Sequence, residues 1–327
     1  MLYPPEFEKV ISEIGRVIRE NHTFLVCGHV RPDGDCVGSQ LAFYHLLLNM
    51  EKGVRLYNSG PILEHYKFMP GIDRFETELD KSYQPDVSIF VDCGTQDRVT
   101  GNFTPPGFLI NIDHHRSNGH FGDLNYIDTG ATAAGEQIYH IIRHMGEPVT
   151  PDIAASVYLA VLSDSGSFRF SNTNDVTLKV AADCVAEGAD PAWIAGQFYD
   201  NRSPESVNLK AKALSSLHYE CGGKLVWSEI TWDMYESAGG TLNEPEGLVG
   251  EMRGIRGVDM SILFHELEEG GMRSGLRSKG DVDVSKVARK MGGGGHKNAS
   301  GCYIQGNYRE LRDQMIRNAC DYFSEVS

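Results

Sequence analysis

"FLINIDHHRSN" (residues 108–118) is a mostly apolar run that ends on an aspartate and two histidines. The run reads as a buried strand, yet it delivers three consecutive metal-capable side chains at its carboxyl end. Working outward, the same arrangement recurs. "TFLVCGHV" (23–30) reads as a short buried strand ending at Gly28, followed by His29, Asp33 and Asp35. The helical stretch after it places Val37, Leu41, Tyr44 and Leu48 on one face. "GVRLYNSG" (53–60) is a second strand, and "PDVSIFVDCG" (85–94) a third that ends near Asp92. Strands of this kind separated by helical stretches predict an α/β fold, with an N-terminal domain built on a parallel sheet.

Helical spacing also marks residues 7–20, 132–145, 151–163 and 174–187. The last of these stops at "AEGADP", a glycine-and-proline signal. A length of 327 residues favours two domains. The expected division is a first domain over 1–190, a linker with helical content over 191–205, and a smaller α/β domain over 206–327. The second domain is expected to hold strands near 224–231, 257–266 and 272–278, with helices near 284–291 and 308–323.

The net charge of −15 argues against a general duplex-DNA binder, which needs a basic footprint. It leaves room for an enzyme acting on a small phosphorylated ligand, because local charge can oppose the global sign. Seven cysteines, an odd number without a C-x-x-C pair, fit free thiols in a reducing compartment. "MLYPPEFEKV" has no basic n-region or apolar h-region, and no apolar run reaches the roughly 20 residues of a membrane span. The expectation is a cytoplasmic protein without a membrane partner.

Four segments supply an acidic-histidine set: His29, Asp33 and Asp35; Asp92; Asp113, His114 and His115; and Asp164 from "LSDSGSFRFSNT" (162–173). In open α/β sheets, ligands sit outside the carboxyl ends of strands. Asp164 closes a helix instead. Carboxylates and imidazoles suit Mn²⁺, Fe²⁺ or Mg²⁺ better than structural zinc. So many carboxylates repel one another unless cations neutralise them. Two ions sharing one carboxylate fit the ligand count, and such a pair can activate water and clamp a phosphoryl centre. Taken singly, each motif has a plainer reading. An aspartate at a strand end is commonly a helix cap, and Asp35 could be that alone. A His-His pair is commonly a solvated loop. The four together, each at a plausible site edge, favour the metal reading.

"GHVRPDGDCVGS", "VDCG", "IDHHRSN" and "SDSGSFRFSNT" resemble, in that order, the four motifs of the DHH phosphoesterase superfamily. The resemblance implies that His29, Asp33 and Asp92 hold one metal, and that Asp35, Asp92, His114 and Asp164 hold the other. Asp92 would bridge the two. Asp113 would orient a histidine, and His115 would face the substrate phosphate or leaving group. The cofactor implied is two divalent cations, with Mn²⁺ the one associated with the family.

"GLRSKGDVDVSKVARKMGGGGHKNASG" (275–301) is locally basic: seven Lys or Arg against two Asp between Met272 and Lys297. Four glycines before a histidine let backbone approach a ligand, and loop amides can cradle an anion. Arg273, Arg277, Lys279, His296 and Lys297 offer charge-assisted contacts. The plainer reading is a flexible loop beside a solvated helix. The stretch resembles the DHH-associated domain through Arg277-Ser278 and Gly293-Gly294-Gly295-His296, followed by Ala299 and Gly301. That resemblance assigns Arg277, Gly294, Gly295 and His296 to substrate binding. Arg169 is a further phosphate candidate, in a stretch that otherwise reads as a strand edge with Phe168 or Phe170 on the core. Cys27, Cys36 and Cys93 read as packing residues.

One such domain plus one short associated domain is similar to the stand-alone nano-RNase and 3′-phosphoadenosine 5′-phosphate (pAp) phosphatase group. The implied substrates are short oligoribonucleotides or dinucleotides, cleaved to mononucleotides, and pAp, cleaved to AMP. A homodimer is compatible with the resemblance. Cyclic dinucleotide hydrolysis is the alternative within the family, and a non-catalytic nucleotide sensor the alternative outside it.

Overall fold

The computed structural model describes residues 3–30, 32–60, 62–80, 82–100, 105–238 and 247–326. After helix α1 (Glu8–Glu20) the chain enters β1 (Thr23–Cys27), whose side chains alternate between two cores. Phe24 and Val26 join the larger core, while Leu25 and Cys27 join a smaller one on the opposite face. A strand apolar on both faces must be covered on both, which places it inside a parallel sheet. The next elements are α2 (Gly34–Asn49), β2 (Gly53–Tyr57), β3 (Phe75–Glu76), β4 (Val87–Val91), a single turn α3 (Asp97–Thr100), β5 (Phe108–Asp113) and β6 (Leu124–Ile127). All strand pairs in this sheet are parallel, in the order β3-β2-β1-β4-β5-β6. The order reverses between β1 and β4, so the carboxyl ends of these two strands flank the natural ligand crevice of such a sheet.

Four helices follow: α4 (Ala134–Met145), α5 (Pro151–Asp164), α6 (Asp175–Ala186) and α7 (Pro191–Tyr199). Helices α2, α4 and α5 approach one another unusually closely, and small residues are the reason. A Cβ at Gly38 of α2 would lie 2.4 Å from the Ser156 carbonyl oxygen and 3.0 Å from the Ala160 amide nitrogen on α5. A Cβ at Gly135 of α4 would lie 2.4 Å from Ala160 Cβ. No larger side chain fits at either position, so this contact sets the distance from the start of α2 to the end of α5.

The chain divides into two compact units, Met1–Asn201 and Arg202–Ser327. The second contains α8 (Pro204–Ser215), β7 (His218–Glu220), β8 (Leu225–Ile230), α9 (Trp232–Ser237), α10 (Leu248–Arg253), β9 (Met260–Glu266), β10 (Met272–Ser278), α11 (Val284–Lys290), β11 (Gly294–His296), β12 (Ala299–Ile304) and α12 (Tyr308–Val326). Its sheet runs β11-β12-β10-β9-β8-β7 and is antiparallel except for the β8–β9 pair. One core joins Ile262, Phe264, Met272, Leu276 and Cys302 to residues of α11 and α12. A separate core under β8 and β9 takes Leu209, Leu248 and Met252.

Gly38→Ala should destabilise the protein by about 1–3 kcal/mol, because the methyl group meets backbone that cannot step aside. Chemical denaturation of the variant checks this; an unchanged midpoint would show that the helices can separate without cost.

Candidate metal centre

The first unit brings all eight of its acidic and histidine candidates to the carboxyl end of the sheet. Asp92 directly follows β4 and lies in the left-handed region (φ 52°), a conformation uncommon outside glycine. Its amide donates to the Ile112 carbonyl at 2.9 Å, which fixes the strand exit. The side chain is 2 % exposed, and its Oδ1 has no hydrogen-bond partner among the described residues. Imidazole nitrogens surround it: His29 Nε2 lies 3.3 Å from Oδ2, and His114 Nε2 and His115 Nδ1 each lie 3.5 Å from Oδ1. His114 Nε2 also lies 3.6 Å from Asp35 Oδ2 and 3.5 Å from Asp164 Oδ2.

These separations exceed good hydrogen bonds. Those made by the Nε2 atoms of His29 and His114 match neighbouring ligands of a metal ion, since atoms bound at about 2.0–2.2 Å stand roughly 3.0–3.5 Å apart. An orphaned buried carboxylate oxygen in such a shell is what a cation would satisfy, so the residues present fit a metal.

The histidines are set for this by their other nitrogens. His29 Nδ1 donates to the Val30 carbonyl at 2.9 Å and His114 Nδ1 to the Ala131 carbonyl at 3.3 Å, which turns each Nε2 toward the carboxylates, the nitrogen a metal would take. His115 Nδ1 is instead 2.7 Å from Asp113 Oδ1. Asp113 is fully buried and accepts a further bond from Asn118 Nδ2 at 2.6 Å, while Asn118 also donates to Asn111 Oδ1. Asp113 therefore occupies the Nδ1 position of His115 and fixes the orientation of the ring.

Asp33 and Asp35 divide their labour. Asp33 caps its own helix, accepting from the Cys36 amide, and its Oδ1 lies 3.9 Å from His29 Nε2. Asp35 does not cap α2. It accepts from the Ala134 and Gly135 amides at 2.7 and 3.0 Å, at the N-terminus of α4, whose own cap residue Ala133 has no side-chain acceptor. Asp35 thus does cap a helix, but one a hundred residues away in sequence. Asp164 ends α5, and its carbonyl is held by Asn172 Nδ2 at 3.0 Å.

The electrostatics follow from crowding. Burial drives the Asp35 carboxyl well above its ordinary range, with the Asp92 charge adding to it, and burial pushes Asp164 up to about 6. Burial acts on Asp92 in the same direction, yet the His114, His29 and His115 imidazoles outweigh it and hold Asp92 well below the usual range. Burial opposes charge on His114, but Asp92, Asp164 and Asp35 raise it well above an ordinary histidine. Without cations, then, the cluster keeps its negative charge in check by holding protons on imidazoles. Cys36 also reaches the site, beside His29 and Asp92. Burial pushes its thiol up to about 11, and Sγ faces Gln40 Oε1 at 3.6 Å, so it stays protonated.

The stretch after Asp164 corrects one expectation. "SFRFSNT" is not a strand edge. Gly166, Ser167 and Phe168 take φ values of 56°, 60° and 61°, and the chain coils back in successive turns bonded to Ser165. Three left-handed residues in a row cannot form an extended strand. Phe168 packs on the core, and exposed Arg169 donates from Nε to the Gly166 carbonyl at 2.8 Å.

In the second unit the glycine run is not simply a loop. Gly294–His296 forms the edge strand β11, with Gly294 opposite Gly301 and His296 opposite Ala299. Arg277 lies opposite Ala299 on β10, so Arg277 and His296 share one row of one sheet face. Several of the basic side chains have partners within this unit: Arg277 donates to the Leu276 carbonyl, Lys279 donates to the Ile255 carbonyl, and Lys297 pairs with Asp281.

Residues 23–161 match the DHH family, N-terminal domain, and residues 230–325 the DHHA1 domain. The chain belongs to the DHH family of phosphoesterases. Its relatives include two proteins named bifunctional oligoribonuclease and PAP phosphatase NrnA. The one from Thermus thermophilus is 31 % identical over 86 % of this chain and 84 % of its own. The one from Bacillus subtilis is 30 % identical over 90 % of this chain and 93 % of its own. The crystal structure of an exopolyphosphatase-related protein from Bacteroides fragilis shares the fold, with a TM-score of 0.88 at 23 % identity over 97 % of both chains. No helix among the described residues is long and apolar enough to cross a membrane.

Behind the centre, Glu136 of α4 is buried and accepts from Thr177 Oγ1 at 3.0 Å, and Thr177 in turn meets Thr132. Burial raises its carboxyl from 4.5 to about 7. The folded chain therefore holds this proton more tightly than the unfolded chain. Its contribution is full below about pH 4.5 and is lost as pH rises through 7, up to about 3 kcal/mol. Glu136→Gln should flatten the stability of the metal-free protein between pH 5 and pH 8; parallel wild-type and variant curves would contradict this.

Proposed function

We propose that the protein is a two-metal phosphohydrolase that cleaves short oligoribonucleotides and dinucleotides to mononucleotides and 3′-phosphoadenosine 5′-phosphate to AMP. The observation that carries this reading is the Asp92 carboxylate, buried, short of a hydrogen-bond partner and facing three imidazoles. His29, Asp33 and Asp92 are assigned to one cation, and Asp35, Asp92, His114 and Asp164 to the other. Two divalent cations, Mn²⁺ in this reading, supply when bound an activated water and charge neutralisation at the phosphoryl oxygens.

The chain's own residues do the rest. Asp113 holds His115 so that its Nε2 contacts the substrate phosphate or leaving group. Arg169, Arg277, His296 and the Gly294–Gly295 backbone bind substrate anions. The names borne by the relatives, oligoribonuclease and PAP phosphatase, support this substrate range. The net charge of −15 disfavours gripping a long strand. Seven unpaired cysteines fit a cytoplasmic location. A non-catalytic sensor could dispense with metal ligands, and the intact set speaks for catalysis.

The test offers a linear diribonucleotide, pAp, cyclic di-AMP, a long single strand and pyrophosphate to one Mn²⁺-loaded sample. Mononucleotide release from the dinucleotide and AMP from pAp are expected, with little action on the long strand. Asp92→Ala should bring both activities below detection, and His296→Ala should raise KM while leaving metal stoichiometry unchanged. Absence of turnover despite bound manganese, or normal turnover by Asp92→Ala, would overturn the assignment.

A further inference from the structure

The outer half of the second unit's sheet has two unlike faces. Along β10 the residues alternate strictly: Met272, Ser274, Leu276 and Ser278 are buried, while Arg273, Gly275 and Arg277 are partly exposed. On β12, Ser300 and Cys302 are buried, while Ala299 and Gly301 are partly exposed and Tyr303 is 50 % exposed. The register places the exposed set in three rows. Arg277, Ala299 and His296 form the first, Gly275, Gly301 and Gly294 the second, and Arg273 and Tyr303 the third.

The middle row contributes no side chains across three strands, and at its Gly275 end a neighbour, Val249 of α10, comes into van der Waals reach. The fold does not require all of it: Gly294 lies outside the left-handed region, and a Cβ there would meet nothing within 4 Å. The row is walled on both sides. The third row lies four residues from the first along β10, about 13 Å away at strand rise, which is room for a second nucleotide. Tyr303 is pinned there, its hydroxyl accepting from Gln305 Nε2 at 3.1 Å. Across β10, His265 continues the row. Burial and the Arg273 charge lower its pKa well below the histidine range, so it stays neutral beside the guanidinium.

We propose that Arg273 and Tyr303 form a subsite for the second nucleotide of a linear dinucleotide, Tyr303 stacking on its base and Arg273 pairing with its terminal 5′-phosphate when it carries one. The inference rests on the hydrolase reading above and makes this row the determinant of preference between dinucleotides and pAp, which carries a single nucleoside.

The experiment compares kcat/KM for a diribonucleotide and for pAp in the Mn²⁺-loaded wild type, Tyr303→Ala, Tyr303→Phe and Arg273→Gln. Tyr303→Ala should lower the diribonucleotide-to-pAp ratio about ten-fold, the scale of one base stacked on an aromatic ring. Tyr303→Phe should keep the ratio, since the ring remains. Arg273→Gln should narrow the difference between 5′-phosphorylated and unphosphorylated diribonucleotides. A ratio that does not move in Tyr303→Ala, or that falls equally in Tyr303→Phe, would overturn the subsite while the hydrolase reading stands. A wild type inactive on both substrates would overturn the hydrolase reading and the subsite with it.

Discussion

One buried carboxylate organises the first unit. Asp92 occupies the point where the strand order of the sheet reverses, in a left-handed conformation that turns its side chain out of the strand. With one oxygen short of a hydrogen-bond partner, it would be costly in a dry interior. The surrounding imidazoles repay part of that cost when protonated, and cations would repay it more fully. Each neighbouring group is placed accordingly. Main-chain carbonyls take the Nδ1 positions of His29 and His114, and a dedicated aspartate takes that of His115.

The other carboxylates reach Asp92 through helix packing. Asp35 begins α2 and Asp164 ends α5, and these termini meet because Gly38, Gly135 and Ala160 let three helices close on one another. Asp35 also ties α4 to the assembly by accepting its first amides. The packing of the helices therefore also sets the distance between Asp35 and Asp164.

Much of this was legible in the sequence, because strand periodicity and ligand chemistry coincide at the same residues. The strands ending at Cys27, Val91 and Asp113 carry apolar side chains on both faces, and His29, Asp92 and His114 follow at their exits. Other features had no such signature. The carbonyls of Val30 and Ala131 are chosen by fold, not by residue type. Asp35 caps a helix remote in sequence, which local cap rules cannot find. β6 is four residues with a polar interruption. β11 hides in a glycine run, since its pairing comes entirely from β12. Asn118 was within reach, lying in the same quoted stretch as Asp113. In the turn after Asp164, alternating Phe and Arg imitate a strand, whereas Gly166 and two further left-handed residues coil the chain.

The central claim is that Asp92 is shared by two cations. Electron paramagnetic resonance of the Mn²⁺-titrated protein tests it directly. A shared carboxylate predicts two ions per chain and an exchange-coupled signal that replaces that of isolated Mn²⁺ as the second ion binds. A signal of isolated ions at full occupancy, or saturation at one ion per chain, would contradict the account.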